Sequence, residues 1–84
     1  MKISLHGFGS MRALRGMSFE FVASLTVREF RVYLQAQLST NPEFTDLELL
    51  LQSCAFASNE QVLTEDVQLT QDQLLNVLPP VCGG

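Results

Sequence analysis

The chain has 84 residues, enough for one domain around a single core and too few for a second. It is 46% hydrophobic and 17% charged, with a formal net charge of −4 from nine acidic and five basic residues. That balance excludes the basic footprint needed to neutralise nucleic-acid phosphates, and no run approaches the ~20 apolar residues of a membrane span. The opening Met1-Lys2-Ile3-Ser4-Leu5-His6-Gly7 lacks the apolar core of a signal peptide, so the expected compartment is the cytoplasm. Cys54 and Cys82 are far apart and form no C-x-x-C pair, so no metal site, redox dithiol or disulfide is expected. A short chain this apolar must leave part of its apolar surface exposed, which suits a docking patch.

From Lys2 to Phe8, Ile3, Leu5 and Gly7 share one parity and Lys2, Ser4, His6 and Phe8 the other, the pattern of a half-buried strand. Gly7, Gly9, Ser10 and Gly16 mark a connection, and Ser18 to Ser24 alternates again, which predicts an N-terminal hairpin. Thr26 with Glu29 forms a capping box, Leu25 and Phe30 a hydrophobic staple, and Val27, Phe30, Leu34 and Leu38 recur at helical spacing. After Asn41-Pro42, the stretch Phe44-Thr45-Asp46-Leu47-Glu48-Leu49 repeats cap, box and staple for a short second helix to about Gln52. Cys54 to Ser58 reads as a strand, Asn59-Glu60 as a turn and Gln61 to Leu63 as a short extended piece. Asp66 and Thr70 to Gln73 carry further turn chemistry. Leu74 to Pro79 is apolar on both parities, as a central strand would be.

This order predicts an α+β roll: a mixed sheet of about five strands with one main and one short helix packed on one face. The domain is expected over residues 1–78, with 79–84 as a flexible tail. Because the helices cover one face, Leu74, Leu78 and Phe8, on the other parity, are candidates for a partner-binding surface. Burial under the loops is the plain alternative.

No internal chemistry is legible. His6 stands alone in a strand pattern without a nucleophile signature, and the glycines at 7, 9 and 16 form neither G-x-G-x-x-G nor a phosphate loop. The C-terminal Pro79-Pro80-Val81-Cys82-Gly83-Gly84 is different. The prolines end the last strand and aim the chain away from the sheet, and two residues without Cβ make a thin end that can thread a narrow passage. A frayed end is the ordinary alternative. The α-carboxylate, with a pKa of ~3.5, is ionised at neutral pH and a poor electrophile, so a nucleotide-using partner must activate it as an acyl phosphate or adenylate before a nucleophile attacks Gly84. Cys82, two residues away, would move with the tail and reads as a small neutral filler.

These residues resemble the MoaD/ThiS sulfur-carrier family, and within it the MoaD type, the small subunit of molybdopterin synthase. The resemblance runs from the opening strand with Phe8 and Arg12, through the capped helix, to Asn59, Leu69, Leu78, Pro79, Pro80, Val81, Gly83 and Gly84. Two places depart from the usual pattern: Gln71-Asp72-Gln73 stands where an Asp-Gly-Asp-like turn is common, and Gly7-Phe8-Gly9 replaces a Phe-Ala pairing. The turn is expected to survive because aspartate tolerates left-handed angles. The resemblance implies a ubiquitin-like β-grasp fold and a non-catalytic, sulfur-donating subunit that binds no cofactor itself. A MoeB-like enzyme would adenylate Gly84 with ATP, sulfur would replace an oxygen, and the thiocarboxylate would enter a MoaE-like large subunit in a heterotetramer. There it would pass sulfur to a cyclic pyranopterin. Gly84 would bear the reacting group, Gly83, Cys82 and Val81 would thread the channel, and Phe8, Leu74, Leu78, Pro79 and Pro80 would dock. A thiamin-pathway sulfur carrier, a ubiquitin-like modifier joined to lysines through Gly84, and an interaction module with an inert tail are the alternatives.

Overall fold

In the computed structural model, which describes residues 1–59 and 61–80, strand β1 (Lys2–Gly7) pairs antiparallel with β2 (Ser18–Glu20), setting Ile3 opposite Phe19. The connection between them is a 3₁₀ helix, Gly9–Leu14, that buries Met11 and Leu14. The hairpin ends earlier than its alternation predicts. Phe21 exchanges backbone hydrogen bonds with Met1, and the chain then turns away to a two-residue strand β3 (Leu25–Thr26). Phe21, beyond the ladder, still faces inward with Phe19 of β2: the two rings meet Phe30 and Tyr33 edge to face, 4.9 to 6.2 Å between centroids.

Helix α1 (Val27–Leu38) starts at the predicted capping box. Thr26 Oγ1 accepts from Glu29 N at 3.1 Å, and Glu29 Oε1 accepts from Thr26 N at 2.8 Å, which satisfies two backbone donors at the helix start. Helix α2 (Thr45–Leu51) exists, but its predicted box does not form. A short 3₁₀ turn, Pro42–Phe44, leads into it. Asn41 accepts from Glu43 N at 3.0 Å and Pro42 occupies the first position, so Thr45 is already helical and its hydroxyl donates to the Pro42 carbonyl. Leu49 is consequently exposed, and Leu47 and Leu51 are the residues that reach the core.

The remaining strands are β4 (Ala55–Ser58), β5 (Gln61–Leu63), β6 (Gln68–Leu69) and β7 (Gln73–Leu78). The main sheet has the order β2-β1-β7-β4-β5, with β7 central, parallel to β1 and antiparallel to β4; β3 and β6 form a separate two-stranded ribbon. The alternation assigned to β7 is observed: Leu75 and Val77 are fully buried with Ile3, Leu5, Phe30, Leu34 and Phe56 between the sheet and α1. The turn before β7 needs no left-handed residue. Asp72 stabilises it from outside by accepting from Lys2 N at 2.8 Å, while the one described non-glycine with positive φ is Asn59, in the turn after β4.

Arg31 joins parts of the chain that share no sheet. Its Nε and Nη2 donate to the two Glu65 carboxylate oxygens at 3.0 and 2.8 Å, and its Nη1 donates to the carbonyls of Leu51 and Cys54 at 2.6 and 2.8 Å. The guanidinium carbon sits 4.8 Å from the centroid of the Phe56 ring. The hydrogen bond from Arg31, reinforced by its charge, holds the Glu65 carboxyl below the ordinary value of 4.5. A carboxylate whose pKa is lower folded than unfolded contributes stability above its unfolded value and loses it as pH falls through the folded one. Glu65→Gln should therefore reduce stability by about 1 kcal/mol at pH 7, a modest figure because the pair is partly solvated. The difference from wild type should shrink as pH falls below about 4.5. Urea unfolding of both proteins at pH 7 and pH 3 checks this; an equal gap at the two pH values would count against the linkage.

Candidate functional site

Both helices lie on one face of the sheet, so the pleat sends every second strand residue to an uncovered face. Register places these residues in rows. Val62 on β5 lies opposite Ala57 on β4, Ala57 opposite Asn76 on β7, and Asn76 opposite His6 on β1. In adjacent rows Leu78 lies opposite Ala55 and Leu74 opposite Ser4. Phe8 continues the row of Leu78: its N–H donates to the Val77 carbonyl at 3.1 Å, and its ring meets His6 edge to face at 4.7 Å. Leu74 is 52% exposed, Val62 59% and Phe8 40%, so this face carries large apolar side chains in water. Ala57 is buried yet stands apart from the core cluster, as a small side chain beneath that surface should.

Leu74, Leu78 and Phe8, the three candidates assigned by parity, thus lie together on the uncovered face. His6, of the same parity as Phe8, joins them, and so does Val62, which had not been singled out. A three-residue strand has too little alternation to reveal which way Val62 points, and only its pairing with Ala57 decides it. Val22, Val32 and Leu49, also exposed, lie elsewhere on loop and helix surfaces.

Pro79 and Pro80 follow β7 directly and are half-buried at the edge of this face. Gly9, at φ +55°, brings the start of the first 3₁₀ helix against them; a Cβ there would lie 3.4 Å from the Pro79 ring. The root of the tail is therefore braced between the end of β7 and the chain leaving β1. Val81, Cys82, Gly83 and Gly84, to which threading and the reacting group are assigned, lie outside the described residues.

At the other end of β7 a shallow cavity of about 350 Å³ is lined by Ser58, Asn59, Gln71, Gln73, Leu74 and Asn76. Carboxamides and a hydroxyl can hydrogen-bond but offer no general acid, base or activated nucleophile. Cys54 is buried; burial pushes its thiol pKa up against the opposing effect of Arg31, so it stays neutral and weakly nucleophilic. Among the described residues no three His, Cys, Asp or Glu side chains are placed to hold a metal ion, and no helix is long and apolar enough to cross a membrane. The described surface thus offers a place to bind and a mount for a tail.

Comparison with known families decides what kind of mount it is. The model of the ThiS family matches residues 7–84, from the last residue of β1 onward. The chain belongs to the ThiS family. A search of curated proteins gives no match. The five-stranded mixed sheet, its main helix and the short second helix make this ThiS-family chain a β-grasp domain. ThiS-family domains are small sulfur carriers that act with partner enzymes.

Proposed function

We propose that this chain is the sulfur-donating small subunit of a molybdopterin synthase, with Gly84 as the residue that carries sulfur. The observation that carries the reading is the Pro79-Pro80-Val81-Cys82-Gly83-Gly84 end, which follows the central strand within the family match and has an uncovered apolar face beside its root. In this reading the Gly84 carboxylate attacks the α-phosphate of ATP on a MoeB-like enzyme, giving an acyl adenylate and releasing pyrophosphate. A sulfide-equivalent nucleophile then attacks the acyl carbon and displaces AMP, leaving a thiocarboxylate. The chain itself binds no cofactor. Adenylation removes the carboxylate charge and supplies a leaving group, and sulfur is a better nucleophile than the oxygen it replaces.

The loaded tail then enters a MoaE-like subunit, where sulfur passes to a cyclic pyranopterin and water restores the carboxylate. Phe8, Leu74 and Leu78 dock on the partners while Pro79 and Pro80 stiffen the exit, so that the tail projects from a surface already held. Val81, Cys82 and Gly83 occupy the channel, where glycine's missing Cβ allows close passage.

Intact-mass measurement tests the reading. After incubation with the activating enzyme, ATP and a sulfur donor, the chain should gain the mass difference between sulfur and oxygen, and the product should convert cyclic pyranopterin in the presence of the large subunit. Persistence of the carboxylate form alone would eliminate sulfur carriage. A thiocarboxylate that serves thiazole formation and not pyranopterin would assign the chain to the thiamin pathway, and Gly84-linked lysine adducts would make it a modifier.

A further inference from the structure

Charge is distributed unevenly over this acidic chain. Glu29, Glu43, Asp46, Glu48, Glu65 and Asp66 all lie on the helices, the turn entering α2, or the β5–β6 loop. Two of the five basic residues are spent on that side: Arg28 pairs with Asp66 at 3.4 Å and Arg31 with Glu65 at 2.8 Å. Lys2 lies opposite Glu20 across the β1–β2 register, with Asp72 bound to its backbone. Arg12 and Arg15 are left, both exposed and without an ion pair among the described residues.

Their placement follows from the 3₁₀ geometry of Gly9–Leu14. Residues three apart eclipse one another at three residues per turn, so Met11 and Leu14 form one ridge and Arg12 and Arg15 another. The apolar ridge is buried at 0% exposure, which turns the arginine ridge outward. The same segment starts against Pro79 and is tied to β7 through Phe8 N and the Val77 carbonyl. Arg12 therefore stands over Gly7, beside the root of the tail, with Arg15 one turn further along the same exposed ridge.

We propose that Arg12 and Arg15 form a cationic hook that engages carboxylates on the partner protein at the mouth of the site receiving the tail. Resting on the sulfur-carrier reading above, it names the chemistry of the partner's rim. A chain of net charge −4 approaching an acidic rim would be repelled if its charge were spread evenly, whereas two exposed guanidiniums near the tail root, with no ion pair among the described residues, orient it tail first. Guanidinium forks also match carboxylates in geometry, adding register to orientation.

The test uses the full chain and the purified enzyme that adenylates it, comparing wild type, Arg12→Glu/Arg15→Glu and Arg12→Lys/Arg15→Lys. Both side chains are exposed, so circular dichroism and melting should not change. At low salt the charge-reversed chain should associate at least ~10-fold more slowly and show a KM for the chain raised by a similar factor, with the KM for ATP unchanged. The two proteins should converge near ~1 M salt, where the Debye length is ~3 Å, and the lysine variant should keep most of the association rate. Equal salt dependence of wild-type and reversed chains, with thiocarboxylate still formed, would overturn the hook and leave the carrier standing. A raised KM for ATP would overturn it in favour of nucleotide phosphate binding. Failure of the wild type to be adenylated would overturn both.

Discussion

Deleting Gly84 should abolish thiocarboxylate formation and reduce molybdopterin synthesis by ~10²-fold or more while leaving the melting temperature unchanged. Removing one extended residue withdraws the carboxylate by ~3.5 Å, and a displacement of ~1 Å from a reactive geometry can already lower a rate ~10²-fold. The last strand ends at Leu78 and the buried core cluster runs from Ile3 to Val77, so the melting temperature is expected to hold. Cys82→Ser is the companion measurement. A serine keeps the size of the filler and removes the thiol, and nearly full sulfur transfer is expected. Undiminished product from the Gly84 deletion would show that the tail is not the carrier, and a large loss in Cys82→Ser would make the thiol a participant in sulfur handling.

The sheet and α1 were legible because their signals are periodic and local. Alternation in β1 and β7 records which side faces α1, and the Thr26–Glu29 box is a pairing over three residues that nothing distant overrides. The second box at Thr45 and Glu48 carries the same letters and does not form, because Asn41 and Pro42 start the helical turn one step earlier. A competing cap upstream outweighed a correct motif. Phe21 to Ser24 alternate as a strand would, but the ladder has already ended: Phe21 packs on Tyr33 while Val22, Ala23 and Ser24 are all exposed. For the site, parity was enough to place Phe8, Leu74 and Leu78 on one face. What the sequence could not convey is what lies beside the tail root. The ridge of Arg12 and Arg15 exists only because a stretch that reads as a loop winds into a 3₁₀ helix and folds back on β7.

Gly7 makes that fold-back possible, and Gly7→Ala is expected to be the most damaging single-methyl change in the domain. Gly7 pairs with Val77 at the end of β1, and the chain reverses over it at once, with Met11 N donating to the Phe8 carbonyl at 2.9 Å. A Cβ at Gly7 would fall 1.8 Å from the Met11 carbonyl oxygen and 2.6 Å from its carbon, and both are backbone atoms that no rotamer change can move. Either β1 leaves β7 or the 3₁₀ helix lifts, which withdraws Met11 and Leu14 from a core where both are fully buried. Losing even half of the ~1.5–3 kcal/mol that each such side chain contributes, with the strain that remains, predicts a loss of about 3 kcal/mol. In a chain of this size that corresponds to a fall of ~12 °C or more in melting temperature. Gly16→Ala is the control: at φ +87° with nothing within 4 Å of the added methyl, it meets only backbone strain, and about 1 kcal/mol is expected. If the two variants melt together, the close approach over Gly7 is not what positions the segment. If Gly7→Ala is the worse by the expected margin, the same glycine sets both the stability of the first strand and the placement of the arginine ridge beside the tail.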